Sequence, residues 1–237
     1  MNKVIITLLL MLSTCWGSET KKVRIGTFLI PKYVQSPSKG EFVQLVNMLA
    51  KKANVEIEIV LIPAKRAYIE VTEGSIVGMF PAMESRDLSN FEKTTSFYPK
   101  EMFVFWREGH DYRKLSSPKV CVAEGYTYPE DYMREQGWKK VSSNSDATCL
   151  TLLSKKRVDL FVSEIETGVT EVKNQGLEKV IKYDRYRPIS SDKATLIFRK
   201  GPEGKILSEK FDKALKELMM NSTYQKLFNT GTEKIES

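Results

Sequence analysis

The sequence predicts an α/β fold of two similar lobes that are joined by two crossing strands. Short apolar stretches that alternate like strands are separated by stretches with helical periodicity, and this order occurs twice along the chain. Two further extended segments, Met102–Trp106 and Ala194–Phe198, lie at the ends of the second half. A chain that crosses twice between two lobes forms a hinge, so we expect lobe I to comprise residues 18–106 plus 194–237 and lobe II residues 107–193.

The first half is predicted to contain three strands and two helices. In chain order they are strand Val23–Gly26, helix Glu41–Ala53, strand Val55–Ile59, helix Lys65–Thr72 and strand Ile76–Phe80. In the first helix apolar residues recur at i, i+3, i+4 and i+7, which is typical of an amphipathic helix. A helical connection of this length between two strands favours parallel pairing. Gly74 is a suitable terminator of the second helix.

The second half repeats this pattern with four strands and two helices. They are strand Lys119–Ala123, strand Lys140–Ser143, a helix capped by Ser145 or Asp146 that runs to Arg157, strand Val158–Val162, helix Gly168–Asn174 and strand Val180–Tyr183. A last helix has Leu207, Phe211, Leu215 and Leu218 on one face. If the second crossing returns the chain, this helix packs on lobe I.

The first 17 residues have the layout of a secretory signal peptide. Met1–Lys3 is cationic, Val4–Leu12 is apolar, and Cys15 and Gly17 stand three residues and one residue before a cleavage site. We therefore expect export to the periplasm and a mature chain that starts near Ser18. The alternatives are a buried N-terminal helix and a lipoprotein signal ending at Cys15, which a preceding threonine fits poorly.

Removal of the leader would leave two cysteines, Cys121 and Cys149. An even pair in an exported protein favours a disulfide bond. The alternative is two free thiols that are buried at separate places in the core.

Charge and motif content exclude several functions. The 37 Lys and Arg against 30 Asp and Glu give a net charge of +7, but the charges are interleaved, so we expect no nucleic-acid partner. No apolar stretch reaches the roughly 20 residues of a membrane span. A single histidine, His110, cannot build a multi-histidine metal site, and the common hydrolase and nucleotide-binding motifs are missing. We expect no cofactor and no enzymatic activity, although a divergent enzyme stays open.

Three strings resemble the extracellular solute-binding proteins of family 3, the periplasmic receptors of polar amino-acid ABC importers. They are Lys156–Glu164 (KRVDLFVSE), Val120–Thr127 (VCVAEGYT) and the C-terminal pair Phe211–Leu218 with Thr223–Phe228. The resemblance extends over nearly the whole mature chain. It implies a two-lobed type II periplasmic-binding-protein fold with two hinge crossovers, which closes around a ligand.

The resemblance also implies a ligand site in four loops at the strand ends: 29–35, 81–86, 124–128 and 163–166. Arg86 matches the arginine that binds the ligand's α-carboxylate, and Glu164 matches the acid that pairs with its amino group. Thr127 and Tyr126 occupy the turn that caps the carboxylate, and Tyr33 matches an aromatic wall. Tyr68 is expected at the rim, and Ala82 in the second loop.

Four of these residues also have a plain structural interpretation. Arg86 could form an ion pair with a neighbour in solvent, and Glu164 could be a surface residue at the start of a helix. Thr127 could be an ordinary turn residue, and Tyr33 could pack on the surface. The family's hydroxyl residues before the arginine are replaced here by Pro81–Ser85, and its aspartate by Glu164. Dicarboxylates, small peptides and other polar metabolites therefore stay open as ligands.

The resulting prediction is a monomeric periplasmic receptor that delivers a small polar ligand to an ABC permease of the inner membrane. The alternative is a freestanding periplasmic sensor on the same fold.

Overall fold

The computed structural model describes residues 22–228, so the predicted signal peptide and lipoprotein cysteine lie outside the described residues. The strands are β1 Val23–Thr27, β2 Ile57–Leu61, β3 Gly78–Met83, β4 Phe91–Lys93, β5 Tyr98–Arg107, β6 Lys119–Ala123, β7 Lys139–Ser143, β8 Leu160–Glu164, β9 Ile181–Tyr183 and β10 Ser190–Arg199. The helices are α1 Glu41–Ala53, α2 Ala64–Glu73, α3 Glu130–Glu135, α4 Asp146–Ser154, α5 Ile165–Asn174, α6 Pro202–Met219 and α7 Ser222–Phe228. None of these helices is both long and apolar enough to cross a membrane.

The strands form one sheet in the order β2-β1-β3-β10-β5-β8-β6-β7, with β4 on β10 and β9 on β5. At one end β1 runs parallel to both β2 and β3, which confirms the parallel pairing predicted for the first half. At the other end β6 runs parallel to β7 and β8. The two parallel groups are joined through β10 and β5, which are antiparallel to their neighbours.

The strands β5 and β10 carry the chain between the two parallel groups. They pair with each other from Ser190 opposite Met102 to Ala194 opposite Tyr98. Beyond that segment β10 continues along β3, whereas β5 continues along β8. We call β1–β4, α1, α2, α6 and α7 the first unit, and β6–β9 with α3–α5 the second unit.

Separate apolar cores stabilise the two units. In the first unit α1 and α6 pack on one face of the sheet, where Leu49 and Phe211 are buried, and α2 covers the other face. The last long helix therefore packs on the first unit, as the sequence predicts. In the second unit Leu150 and Phe161 lie in one cluster, and Phe105 of β5 joins them. Each unit thus has an apolar core of its own.

Several element boundaries differ from the predicted ones. Helix α5 begins at Ile165, three residues before the predicted Gly168, because the carboxylate of Glu164 caps it. Strand β3 begins later than predicted and continues through Pro81–Met83, which the sequence analysis placed in a loop. The extension occurs because Ala82 and Met83 still pair with β10.

The predicted disulfide is present between Cys121 of β6 and Cys149 of α4. Both residues are fully buried, so the bond ties the helix to the sheet inside the core of the second unit. The alternative of two separate free thiols is therefore wrong.

Candidate functional site

A cavity lies between the two units, beside the paired segment of β5 and β10. The volume that the centres of water-sized molecules can occupy in it is about 70 Å³, and its mouth opens to solvent. The lining residues come from both units and from the crossing strands: Phe28, Ile30, Tyr33, Phe42, Tyr68, Pro81, Met83, Arg86, Tyr98, Lys100, Met102, Gly125, Tyr126, Thr127, Ser163, Glu164, Thr167 and Ala194.

Arg86 follows β3 and reaches across the mouth of the cavity. Its guanidinium lies 4.6 Å from the centre of the Tyr68 ring, within the range of a cation–π contact. Its Nε donates a hydrogen bond of 3.2 Å to the hydroxyl of Thr127 in the second unit. Arg86 is exposed, so a ligand can approach it from solvent.

The loop after β6 brings Thr127 and Tyr126 to the first unit. Gly125 adopts a φ of 86°, which favours glycine, and a Cβ there would stand 2.7 Å from the Cβ of Ala64. This close approach lets the hydroxyl of Tyr126 donate to the backbone carbonyl of Leu29 over 3.2 Å. The loop therefore contacts the first unit directly at one edge of the cavity.

Glu164 ends β8 and is only 7% exposed. Its Oε2 accepts the backbone N–H of Thr167 over 2.8 Å and so caps α5. Its Oε1 lies 3.2 Å from the hydroxyl of Tyr33 and 3.1 Å from that of Tyr98. The two hydroxyls also contact each other, so their two protons are shared among three hydrogen-bond contacts. The same carboxylate thus starts a helix and lines the cavity.

Tyr33 extends from the first unit to this carboxylate. It is 2% exposed, and its ring stacks on Phe42 with the ring centres 4.5 Å apart. Burial raises the pKa of Tyr33 far above its usual range, and the charge of Glu164 raises it further. The hydroxyl therefore stays neutral and available as a hydrogen-bond donor at any physiological pH.

Lys100 is a cavity residue that the sequence analysis missed. Its Nζ donates to the backbone carbonyl of Thr127 over 2.9 Å. Burial lowers the pKa of Lys100 to about 8, although the charges of Asp192 and Glu164 oppose the shift. The signal that could have revealed it is the two-residue period of the crossing strand, because Tyr98, Lys100 and Met102 share one face of β5 and all line the cavity.

Six predicted site residues meet at this cavity: Tyr33, Tyr68, Arg86, Tyr126, Thr127 and Glu164. The seventh, Ala82, does not line it. Ala82 is fully buried among Ala67 and Met79 on the opposite face of β3, because strand alternation points Pro81 and Met83 to the cavity instead.

Two ion pairs flank the cavity. Lys32 lies 3.3 Å from Glu166 on one side, and Lys65 lies 2.6 Å from Glu124 on the other. Both pairs join the first unit to the second. The Lys65 pair is exposed and therefore contributes little to stability, about 1 kcal/mol or less.

Comparison with solved structures relates this architecture to binding proteins. An ancestral arginine-binding protein bound to arginine has a TM-score of 0.72 with 21% identity, covering 88% of this chain and 96% of that one. The GluR0 ligand-binding core from Nostoc punctiforme, in complex with L-glutamate, has a TM-score of 0.74 with 17% identity, covering 87% and 97%. The chain has the fold of the periplasmic amino-acid-binding proteins. No protein-family model and no curated protein matches its sequence.

The same fold also occurs in a sensor. A histidine kinase sensor domain with similarity to periplasmic binding proteins has a TM-score of 0.73 with 16% identity, covering 88% of this chain and 94% of that one. In a periplasmic-binding-protein fold, ligands are held by closure of two units about a hinge. Here the cavity combines the cations of Arg86 and Lys100 with the anion of Glu164, so it can bind groups of both charges.

Proposed function

We propose that the protein is a periplasmic receptor that captures a small polar ligand between its two units. The observation that carries this proposal is a cavity lined from both units, in which Arg86 contacts Thr127 and Tyr33 contacts Glu164 across the gap. Side chains that meet across a gap can be separated and brought back together by hinge motion. A ligand that contacts both units stabilises the closed form.

Each lining residue has a proposed role. The guanidinium of Arg86 binds a ligand carboxylate, since it can donate two parallel hydrogen bonds. The hydroxyl of Thr127 supports the same carboxylate. Glu164 accepts a ligand ammonium, because a buried ammonium without a partner is costly to desolvate. The aromatic rings of Tyr33 and Tyr68 form walls.

For the biological role we propose export to the periplasm by residues 1–17 and delivery of the ligand to an ABC permease by a monomer. The layout of the first residues supports export, and the likeness to an ancestral arginine-binding protein supports a binding role. The proposal involves no catalytic step and no cofactor.

A second candidate is a sensor that passes the ligand signal to another protein. The similarity to a histidine kinase sensor domain favours it. The two roles differ in uptake: deletion of a transport receptor abolishes import of labelled ligand by intact cells, whereas deletion of a sensor leaves import in place and removes a transcriptional response.

The direct test of the binding role is a thermal-shift screen of the exported protein against amino acids, small dicarboxylates and short peptides. A ligand present at 100 times its Kd should stabilise the folded protein by about 2.7 kcal/mol. Calorimetry on each positive compound would then give the affinity, and chromatography would test for turnover. Conversion of the compound to a product, or the lack of any stabilising compound, would contradict the proposal.

A further inference from the structure

Two cations of the cavity converge on one residue of the second unit. Arg86 donates to the hydroxyl of Thr127 over 3.2 Å, and Lys100 donates to the backbone carbonyl of the same residue over 2.9 Å. Arg86 comes from the loop after β3 and Lys100 from β5, so two separate elements bring positive charge to this point. Like charges held close together repel each other unless an anion compensates them.

Lys100 has little direct compensation from the protein. Among residues 22–228, its Nζ donates to the carbonyl of Thr127 and lies 5.9 Å from the centre of the Tyr128 ring, but it forms no ion pair with a carboxylate. Asp192, which is opposite Lys100 on β10, accepts hydrogen bonds from the backbone N–H and the hydroxyl of Ser85.

Burial lowers the pKa of Lys100 to about 8, and the charge of Arg86 adds to this lowering, while Asp192, Glu164 and Asp146 oppose it. A ligand anion beside Nζ would stabilise its charged form.

The charged side chains of the lining define the ligand charge that would complement them. Arg86 and Lys100 are positive, Glu164 is negative, and the other lining residues are uncharged. A ligand that matches all three groups carries two anionic groups and one cation, with a net charge of −1. A simple dicarboxylate would lack the cation for Glu164, and a neutral amino acid would lack the anion for Lys100.

We propose that Lys100 is a specificity-determining residue that binds a second anionic group, so that the receptor selects α-amino acids with an acidic side chain. This inference rests on the proposed function, because it assumes that Arg86 and Glu164 hold the α-carboxylate and the ammonium. Lys100, which lies on β5, then binds the anionic group of the ligand's side chain. Thr127 separates the two anion subsites.

The test is calorimetric binding of L-glutamate and L-aspartate, with L-glutamine, L-asparagine and succinate as matched probes. The wild type should bind the preferred acid at least about tenfold more tightly than its amide or succinate. Lys100→Gln should weaken binding of the acid by at least about tenfold and binding of the amide by less than about threefold. Lys100→Arg keeps the positive charge with a different shape, so it should keep part of the preference. Lys193→Gln is the control, since Lys193 is exposed on the neighbouring strand and does not line the cavity.

Three results would overturn the inference: equal affinity for acid and amide, tighter binding of succinate, or equal loss of both ligands in Lys100→Gln. A purely structural role of Lys100 would lower both affinities together. If the screen instead finds a neutral or cationic ligand that needs Arg86, the receptor function stands and the inference fails. If no compound binds, both fail.

Discussion

The hydroxyl of Tyr33 lies 3.2 Å from Oε1 of Glu164, so a residue of the first unit donates to the carboxylate that ends β8 of the second. Tyr98, on the crossing strand, donates to the same oxygen over 3.1 Å. The carboxylate is thus held by one group from each of two elements outside its own unit. Separation of the two units would break the contact of Tyr33 and expose the carboxylate to water.

Tyr33→Phe should weaken ligand binding and leave the packing intact. The phenylalanine ring can keep the stack on Phe42, but the donor to Glu164 is lost. Hydrogen bonds to charged groups contribute about 1.5–3 kcal/mol, so the affinity measured by calorimetry should fall about 10- to 100-fold. The control is Tyr224→Phe, because Tyr224 donates to the carbonyl of Phe97 inside the first unit. Equal losses of affinity in both variants would show that the contact with Glu164 has no part in closure.

Arg86→Ala should abolish measurable binding of a carboxylate ligand. Loss of a bidentate charged contact costs about 2–5 kcal/mol, which corresponds to a loss of affinity of about 30-fold or more. Arg86→Lys should restore only part of the affinity, since an ammonium cannot donate two parallel hydrogen bonds. Arg113→Ala is the matched control, as Arg113 is exposed and lies outside the cavity. An Arg86→Ala protein with wild-type affinity would remove the guanidinium from the site.

Reduction of the disulfide should destabilise the protein. The bond joins residues 28 positions apart, and a loop of that length contributes about 3 to 4 kcal/mol on the chain-entropy model. The free energy of unfolding, measured in urea with and without a thiol reductant, should fall by this amount. The double variant Cys121→Ala with Cys149→Ala should not respond to the reductant. A response in that variant would show that the reductant acts elsewhere.

The sequence predicts most of the fold because its apolar periodicity is strong. Helix α1 has the predicted bounds, since its buried face repeats without interruption from Phe42 to Ala50. Strand β3 ends later than predicted because Pro81 does not look like a strand residue, yet Ala82 and Met83 beyond it still pair with β10. The sequence does not predict helix α3, because this helix has only six residues and only one of them, Met133, is buried.

The candidate site could be predicted only where local motifs mark it. Arg86, Thr127 and Glu164 lie at or shortly after the ends of strands that the sequence pattern reveals to within a few residues, and all three line the cavity. Lys100 and Tyr98 were missed because they lie inside a crossing strand, where their exposure to the cavity depends on how the two units face each other. The sequence predicts Ala82 in the site because its pattern ends β3 at Phe80, before Ala82. Long-range geometry, which no local pattern encodes, decides these positions.

Asp146→Asn should stabilise the protein at neutral pH but not in acid. Asp146 is 2% exposed and accepts the hydroxyl of Ser163 over 2.9 Å. Burial raises its pKa from 3.8 to about 6; the charge of Glu171 acts in the same direction, whereas the Ser163 bond, Lys100 and Tyr126 oppose the shift. The folded state therefore binds this proton more tightly than the unfolded state, and the free energy of unfolding falls as pH rises from about 4 to 6.

Above pH 6 Asp146 is charged, and its burial lowers the free energy of unfolding by about 3 kcal/mol, because a pKa raised by about two units corresponds to that amount. The asparagine removes that cost but also removes a favourable negative charge from the first turn of α4, which is worth up to about 1 kcal/mol. Urea unfolding at pH 7.5 should therefore show a gain of about 2 kcal/mol over the wild type, and no gain at pH 4. Asp131→Asn, at an exposed position in α3, is the control and should show no such difference. A gain of equal size at both pH values would mean that the effect does not come from the charge of Asp146.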